Sequence, residues 1–257
     1  MGTPENAANY TAKKYRTPDG APCDIVIFTI VSEEAQALTK ALPRRELQVL
    51  LIQRKKWPDE GKWALPGGFS TPEETLYQSA LRELQEETGV QSPYLEYFNV
   101  YSTPNRDPRG WIISHAYFAL VQEQILAARK AADDAADVKL VSVEKALQSM
   151  DLAFDHREIL QDALQRVRHK MLTTTIAREF LPEEFTIAEL YQVIQTVCPG
   201  FEEPNFKRKV TATQTRQGLI EEVLDENGKK KTTNRNSQRH AQLFRFTGFE
   251  PEVSIYQ

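Results

Sequence analysis

Three glutamates, Glu83, Glu86 and Glu87, stand at positions i, i+3 and i+4, so a helix through them carries three carboxylates on one face. Uncompensated, such neighbours repel, costing the helix roughly a few tenths of a kcal/mol per pair. A hard divalent cation offsets that repulsion, and Mg2+ or Mn2+ prefers such oxygen ligands together with phosphate oxygens. Gly67 and Gly68 lie just upstream. Without a Cβ there, a backbone carbonyl can approach the same cation. A solvated, Glu-rich surface helix is the competing reading. Leu65-Pro66-Gly67-Gly68 before the cluster and Gly89 after it favour a metal-binding helix between two loops.

From Gly68 to Val90 the chain reads Gly-x5-Glu74-x7-Arg82-Glu83-Leu84-x-Glu86-Glu87-x-Gly89-Val90. This resembles the Nudix box, Gx5Ex7REUxEExGU with U a bulky aliphatic residue, at every defined position. Seven fixed residue types at fixed spacing arise by chance on the order of 10⁻⁹ per start. The resemblance implies an α/β (α+β) fold, the Nudix α/β/α sandwich with a mixed sheet. It implies hydrolysis of the diphosphate in a nucleoside diphosphate derivative, with Mg2+ (or Mn2+) as cofactor. Glu83, Glu86, Glu87 and Arg82 would be catalytic, Gly68 and the three glutamates would hold the metal, and Glu74 would pair with Arg82. Family members differ in the general base, so Glu83 and the later acids Asp133, Asp134 and Asp137 all stay open.

Beyond the box comes Tyr101-Ser-Thr-Pro104-Asn-Arg106-Asp107-Pro108-Arg109-Gly110-Trp111. Pro104, fifteen residues past Gly89, resembles the marker of ADP-ribose pyrophosphatases, and the Arg-Asp-Pro-Arg-Gly run is similar to the matching loop of a subgroup. ADP-ribose, cleaved to AMP and ribose 5-phosphate, is the substrate this implies. Arg54, Pro104, Arg106 and Arg109 are the substrate-binding candidates, since guanidinium groups match diphosphate oxygens. Trp111 or Tyr101 could stack on a base.

The elements that must position these residues are legible in outline. Ile25–Val31, Leu47–Arg54, Val100–Tyr101 and Trp111–Val121 read as strands. A helix is expected over Glu73–Thr88, with Thr71 and Pro72 at its start and Gly89 at its stop. Residues 33–47 read as an excursion, and Leu126–Asp137 as a short helix or loop. Asp155–Met171 is a second helix, with Ile159, Leu160, Ala163, Leu164 and Val167 on one face. His156, at its start, is read as a packed residue ahead of a ligand contact. The 257 residues, 40% hydrophobic and 26% charged, describe a soluble globular protein. No apolar run nears the ~20 residues of a membrane span. Cys23 and Cys198 form no ligand motif, which argues against a zinc site and for a reducing, cytoplasmic home.

The last third changes character. Thr186–Val197 reads as an amphipathic helix, Pro204–Thr213 as a short basic helix, and Leu219–Leu224 with Ala241–Phe246 as a β-hairpin. That is the order of a winged helix-turn-helix. Residues 204–245 hold ten Lys and Arg against four Asp and Glu, a net of +6 in a chain of net −4. Such segregation suits double-stranded DNA. Asn205, Lys207, Arg208, Lys209, Thr211 and Gln214 are placed to meet the major groove. Arg216, Lys229, Lys230, Lys231, Arg235 and Arg239 are placed to meet phosphates or the minor groove.

Phe154-Asp155-His156, Phe185-Thr-Ile-Ala-Glu-Leu, Asn205-Phe-Lys-Arg-Lys and Ala241-Gln-Leu-Phe-Arg-Phe resemble Nudix-related transcriptional regulators of NAD metabolism. That resemblance implies a homodimer placing two winged helices on a palindromic operator. The expected division is a flexible tail (1–20), a Nudix domain (21–153), a connector helix (154–172) and a DNA-binding domain (173–257). The leading expectation is a Mg2+-dependent hydrolase fused to that domain. The alternative is a regulator of NAD or sugar metabolism whose Nudix domain mainly senses ADP-ribose or a related ligand. Many such regulators have a degraded box; here it is intact.

Overall fold

A computed structural model describes residues 18–32, 42–89, 94–126, 138–211, 218–235 and 240–249. The first strand, β1 (Pro22–Ser32), is buried from Pro22 to Ile30. Its side chains alternate with period 2 between two cores: Val26, Phe28 and Ile30 face one, and Cys23, Ile25 and Ile27 the other. A strand apolar on both faces has to sit in the middle of a covered sheet. Accordingly β1 pairs antiparallel with β2 (Arg45–Gln53) over its second half and with β4 (Gly67–Phe69) over its first. Its other edge pairs parallel with β6 (Ser114–Leu120). The short β3 (Trp63–Ala64) and β7 (Val138–Ser142) pair with β2, and β5 (Tyr94–Tyr101) with β6. The result is a seven-stranded mixed sheet.

One face is covered by α1 (Leu76–Thr88), whose Ala80 and Leu84 are fully buried against Cys23, Ile25 and Ile27. The other is covered by α2 (Val143–Ser149) and α3 (His156–Thr173). The α/β/α arrangement expected from the sequence is therefore present. So is the apolar face of α3, where Ile159, Leu160, Ala163, Leu164 and Val167 are all buried.

A 3-10 turn (Ile176–Phe180) leads to α4 (Ile187–Val197) and α5 (Phe206–Val210). The strands β8 (Ile220–Glu222), β9 (Thr232–Thr233), β10 (Ala241–Gln242) and β11 (Phe244–Phe246) then form the hairpin, with β8 on β11 and β9 on β10. This is a winged helix, and it shares its core with the sheet. Met171, Leu190, Val193, Phe206 and Phe244 belong to the same buried cluster as Phe28 and Val49. Arg168 Nε donates to the Val197 carbonyl at 3.0 Å, and Gln192 Nε2 to that of Pro43 at 2.6 Å.

Several boundaries differ from the sequence expectation. The first helix begins at Leu76, not Glu73, because Thr75 and Gln78 form a reciprocal capping box. Glu74 instead accepts from the Thr71 amide within the preceding turn. Residues 45–47, expected in an excursion, already belong to β2. The fifth strand starts at Tyr94, six residues before its legible end, and α5 is five residues long. Residues 1–17, 33–41 and 127–137 lie outside the described part, and with them Asp133, Asp134 and Asp137.

Candidate functional site

The helix α1 is fixed at both ends, by the Thr75 capping box and by Gly89, which closes it in the left-handed region at φ 73°. Burial of Ala80 and Leu84 then turns Arg82, Glu83, Glu86 and Glu87 toward the β4 edge and solvent. Arg82 is the hub. Its Nε and Nη2 donate to Glu74 at 3.1 and 2.9 Å, and its Nη1 to Glu83 Oε1 at 2.5 Å; Glu86 lies at 3.6 Å. The Arg82 hydrogen bonds, seconded by the Thr71 amide, pull the Glu74 carboxyl down to about 2. Arg82 is correspondingly pushed above its usual range.

Gly68 is needed where it stands: a Cβ would meet Glu83 Oε1 at 2.2 Å. This cradle, one carboxylate against bare glycine backbone with two more on the same stripe, has the donor chemistry of a hard divalent cation. The side chains are gathered on Arg82, however. Among the described residues no three His, Cys, Asp or Glu side chains converge closely enough to hold an ion between them.

Beside the cradle opens a cleft of about 160 Å³, lined by Gly67, Gly68, Phe69, Arg54, Arg109 and Phe154 among others. Arg54 lies over the Phe154 ring at 4.7 Å, and its Nε donates to the Pro58 carbonyl at 2.7 Å. Burial, and then the nearby charge of Arg109, lowers its pKa. Arg109 lies over Phe69 at 4.9 Å and over Phe154 at 5.5 Å. Buried Asp107 holds it through two oxygens, at 3.0 and 2.6 Å. Burial opposes the Asp107 charge, but its hydrogen bonds from Arg109 prevail and keep the carboxyl below the usual range.

Arg106, also expected to bind substrate, is 4% exposed and committed elsewhere. Its Nε and Nη2 bind Asp155 at 2.7 and 2.5 Å, and Asp24 lies at 3.5 Å. It lines the cleft but spends its donors tying the loop to the start of α3. Pro104 is exposed and outside the cleft lining; it shapes the turn in which the Arg106 amide donates to Thr103. Tyr101 is not a base platform: it is buried and donates to Asp162 at 2.8 Å. Trp111 is 39% exposed, its amide held by Asp19. His156 is the packed residue expected. Its Nδ1 accepts from the Leu65 amide at 2.9 Å, and burial holds the ring neutral.

Three cleft residues were not singled out as such from sequence. Asp24 binds Ser114 at 2.5 Å and faces Arg106 and His156 at 3.5 Å. Its signal was a lone charge at the head of an apolar strand. Phe69 sat inside the box at an undefined position. Phe154 adopts φ 50°, which nothing in its neighbours' types announces.

The basic residues of the winged helix divide. Phe206 and Val210 anchor α5, leaving Lys207 and Arg208 exposed; Asn205 stands in the left-handed region before it. Lys207 Nζ lies 5.7 Å from the Phe244 ring. Lys209 pairs with Glu203 at 2.9 Å, Lys230 with Glu222 at 2.6 Å and Lys231 with Glu184 at 2.7 Å. Lys229 is exposed at the Asp225–Gly228 turn. Arg235 departs from the DNA-facing role expected of it. Its Nε and Nη2 engage Glu189, a carboxylate 2% exposed at the head of α4, at 2.9 and 2.6 Å. Arg216, Arg239 and Gln214 lie outside the described residues.

Among the described residues no helix is long and apolar enough to cross a membrane. Residues 37–163 match the family model of the NUDIX domain, and residues 177–246 that of the NrtR DNA-binding winged helix domain. The chain is 35% identical over 204 residues to the ADPR responsive transcriptional repressor NtrR of Acinetobacter baylyi, covering 78% of this chain and 76% of that one. It is 33% identical over 159 residues to the ADP-ribose pyrophosphatase of Methanocaldococcus jannaschii, covering 62% of this chain and 90% of that one. The crystal structure of Shewanella oneidensis NrtR complexed with a 27mer DNA superposes with a TM-score of 0.70 at 31% identity, over 91% of this chain and 98% of that one.

Proposed function

Since the chain belongs to the NrtR family, in which a Nudix domain is joined to a winged helix, we propose that it is an ADP-ribose-responsive, DNA-binding regulator whose Nudix cleft is the sensor. One observation carries this reading. Residues 154–156 are at once a wall of the cleft and the entry to α3, the helix whose far end packs on the winged helix. A ligand touching Phe154 therefore touches the first turn of the connector, which we place at residues 154–172.

In this reading Arg54 and Arg109 take the diphosphate oxygens, their guanidinium planes pre-set by the Phe154 ring and by Asp107. Arg106, paired through Nε and Nη2 with Asp155, holds the loop in register. Glu83, Glu86 and Glu87 with the Gly68 carbonyl would hold a divalent cation, which when bound neutralises diphosphate charge and activates water. On the winged helix, Lys207, Arg208 and Lys229 meet the duplex directly. Lys230 and Lys231 do so by exchanging their surface carboxylates for phosphates, and Lys209 by leaving the more enclosed Glu203. Two copies would present two such surfaces to a two-fold operator.

The test is fluorescence anisotropy on the DNA fragment upstream of the protein's own gene. ADP-ribose with Mg2+ should weaken binding by roughly 5–150-fold, the usual range of allosteric coupling. An affinity unmoved by ADP-ribose would overturn the sensor reading.

The intact box favours a second activity in the same cleft, hydrolysis of ADP-ribose to AMP and ribose 5-phosphate. Glu86→Gln and Glu87→Gln should each abolish Mg2+-dependent turnover while the fold survives. Equal turnover in wild type and both variants would remove this reading and leave the sensor one standing.

A further inference from the structure

A second cavity, of about 320 Å³, lies at the other end of β1 from the cleft, where β1 and β2 meet the winged helix. Arg45 from the start of β2, Gln122 and Glu123 from the end of β6, and Glu189 and Arg235 from the winged helix all line it. Arg45 is the anomaly. Its Nε is buried without a hydrogen-bond partner, and among the described residues no ion pair reaches its guanidinium. Burial, before any neighbouring charge, lowers its pKa.

The two carboxylates nearby are already committed. Glu189 gives one oxygen to Arg235 Nε and the other to Arg235 Nη2, the Thr186 amide and the Thr186 hydroxyl. Burial opposes its charge, yet the Arg235 hydrogen bonds hold its carboxyl below the usual range. Glu123 Oε2 accepts from the Ser32 amide at 3.1 Å. The cavity thus holds one ion pair, one anchored carboxylate, and one half-buried guanidinium whose Nε has no hydrogen-bond acceptor. Glu189 and Glu123 attract the guanidinium from a distance, but a buried N–H without an acceptor is costly, and its natural complement is an oxyanion that accepts from the fork.

We propose that this cavity between the sheet and the winged helix is a binding site for a small oxyanion, taken by Arg45 with Arg235 at its edge. The volume is in the range of small-metabolite pockets. An occupant would bridge a strand of the Nudix sheet to the base of the wing. The site is separate from the Nudix cleft and does not depend on the function proposed for that cleft.

The experiment is thermal unfolding of the full-length protein at constant ionic strength in chloride, inorganic phosphate or citrate. Arg45→Met, which keeps the aliphatic stem, is compared with the cleft variant Arg109→Gln. Phosphate or citrate should raise the wild-type Tm by about 2–4 °C over chloride. A response to phosphate alone identifies a phosphoryl ligand, and one to citrate alone a carboxylate. Arg109→Gln should keep the rise and Arg45→Met lose it. In chloride, Arg45→Met should melt no lower than wild type, because it removes a buried donor that has no acceptor. The proposal fails if neither anion stabilises the wild type, if Arg45→Met responds equally, or if it melts lower in chloride.

Discussion

The cleft and the wing both present arginine and lysine, and they hold them in opposite ways. In the cleft, Arg109 is clamped by buried Asp107 and laid over two rings, and Arg106 is almost wholly buried on Asp155. On the wing, Lys230 and Lys231 are about half exposed and paired with glutamates that are themselves partly exposed. A guanidinium clamped by a buried carboxylate has its orientation set before any anion arrives and has little reorganisation left to do on binding. An exposed lysine in a surface pair gains little from that pair and can trade it for any phosphate. Under the proposed function, the first arrangement suits discrimination of a small ligand and the second suits a long polyanion bound in a salt-dependent way.

The largest effect should come from leaving a buried charge alone. Asp155→Ala strands Arg106, and loss of one member of a buried pair costs about 3–5 kcal/mol; urea unfolding measures it. Asp24, at 3.5 Å from Arg106, should keep the loss toward the lower figure. A cost below about 1 kcal/mol would mean that the cleft is no more rigid than the wing.

Next in size, Lys207→Glu with Arg208→Glu should cut DNA affinity at least tenfold. It should also flatten the slope of log affinity against log salt by about 1 for each phosphate contact removed. Unfolding stability should not move. An unchanged salt slope would show that α5 faces away from the duplex.

The histidine of the cleft gives a smaller, pH-dependent signature. Burial depresses the His156 pKa in the fold, whereas the unfolded chain takes up a proton below about 6.5. Stability is therefore intact above that pH and falls below it, by up to about 1.4 kcal/mol per pH unit. His156→Gln should remove this part of the slope between pH 7 and pH 5.5, measured by urea midpoints. The smallest effect belongs to Lys230→Gln. It opens one exposed pair and should change stability by less than about 0.5 kcal/mol.

The two regions were also unequally legible in the sequence. The box helix could be read because its information is local: spacing, a glycine stop and an amphipathic stripe. Even there the start was misplaced, since Thr71-Pro72 looks like a cap while Thr75 and Gln78 form one. Strand β1 was legible because burial on both faces leaves an unbroken apolar run. Most of β5 was not, because Glu96, Tyr97 and Asn99 leave the stretch before Val100 half exposed and mixed. Partnerships between distant residues could not be read at all. Arg235 and Glu189 are 46 positions apart, and the charge count with its place in the wing assigned Arg235 to DNA. Arg106 was given to the substrate because a guanidinium in that loop suits a diphosphate, and its partner Asp155 lies 49 positions away.

The central claim is that one connector helix couples the cleft to the wing, and coupling is reciprocal. Calorimetric titration of ADP-ribose with Mg2+ into the Glu86→Gln protein, which should bind without turnover, is done free and saturated with its upstream DNA. The account predicts that DNA weakens ADP-ribose binding by the same factor by which ADP-ribose weakens DNA binding. Identical ADP-ribose affinities in the two titrations would contradict it.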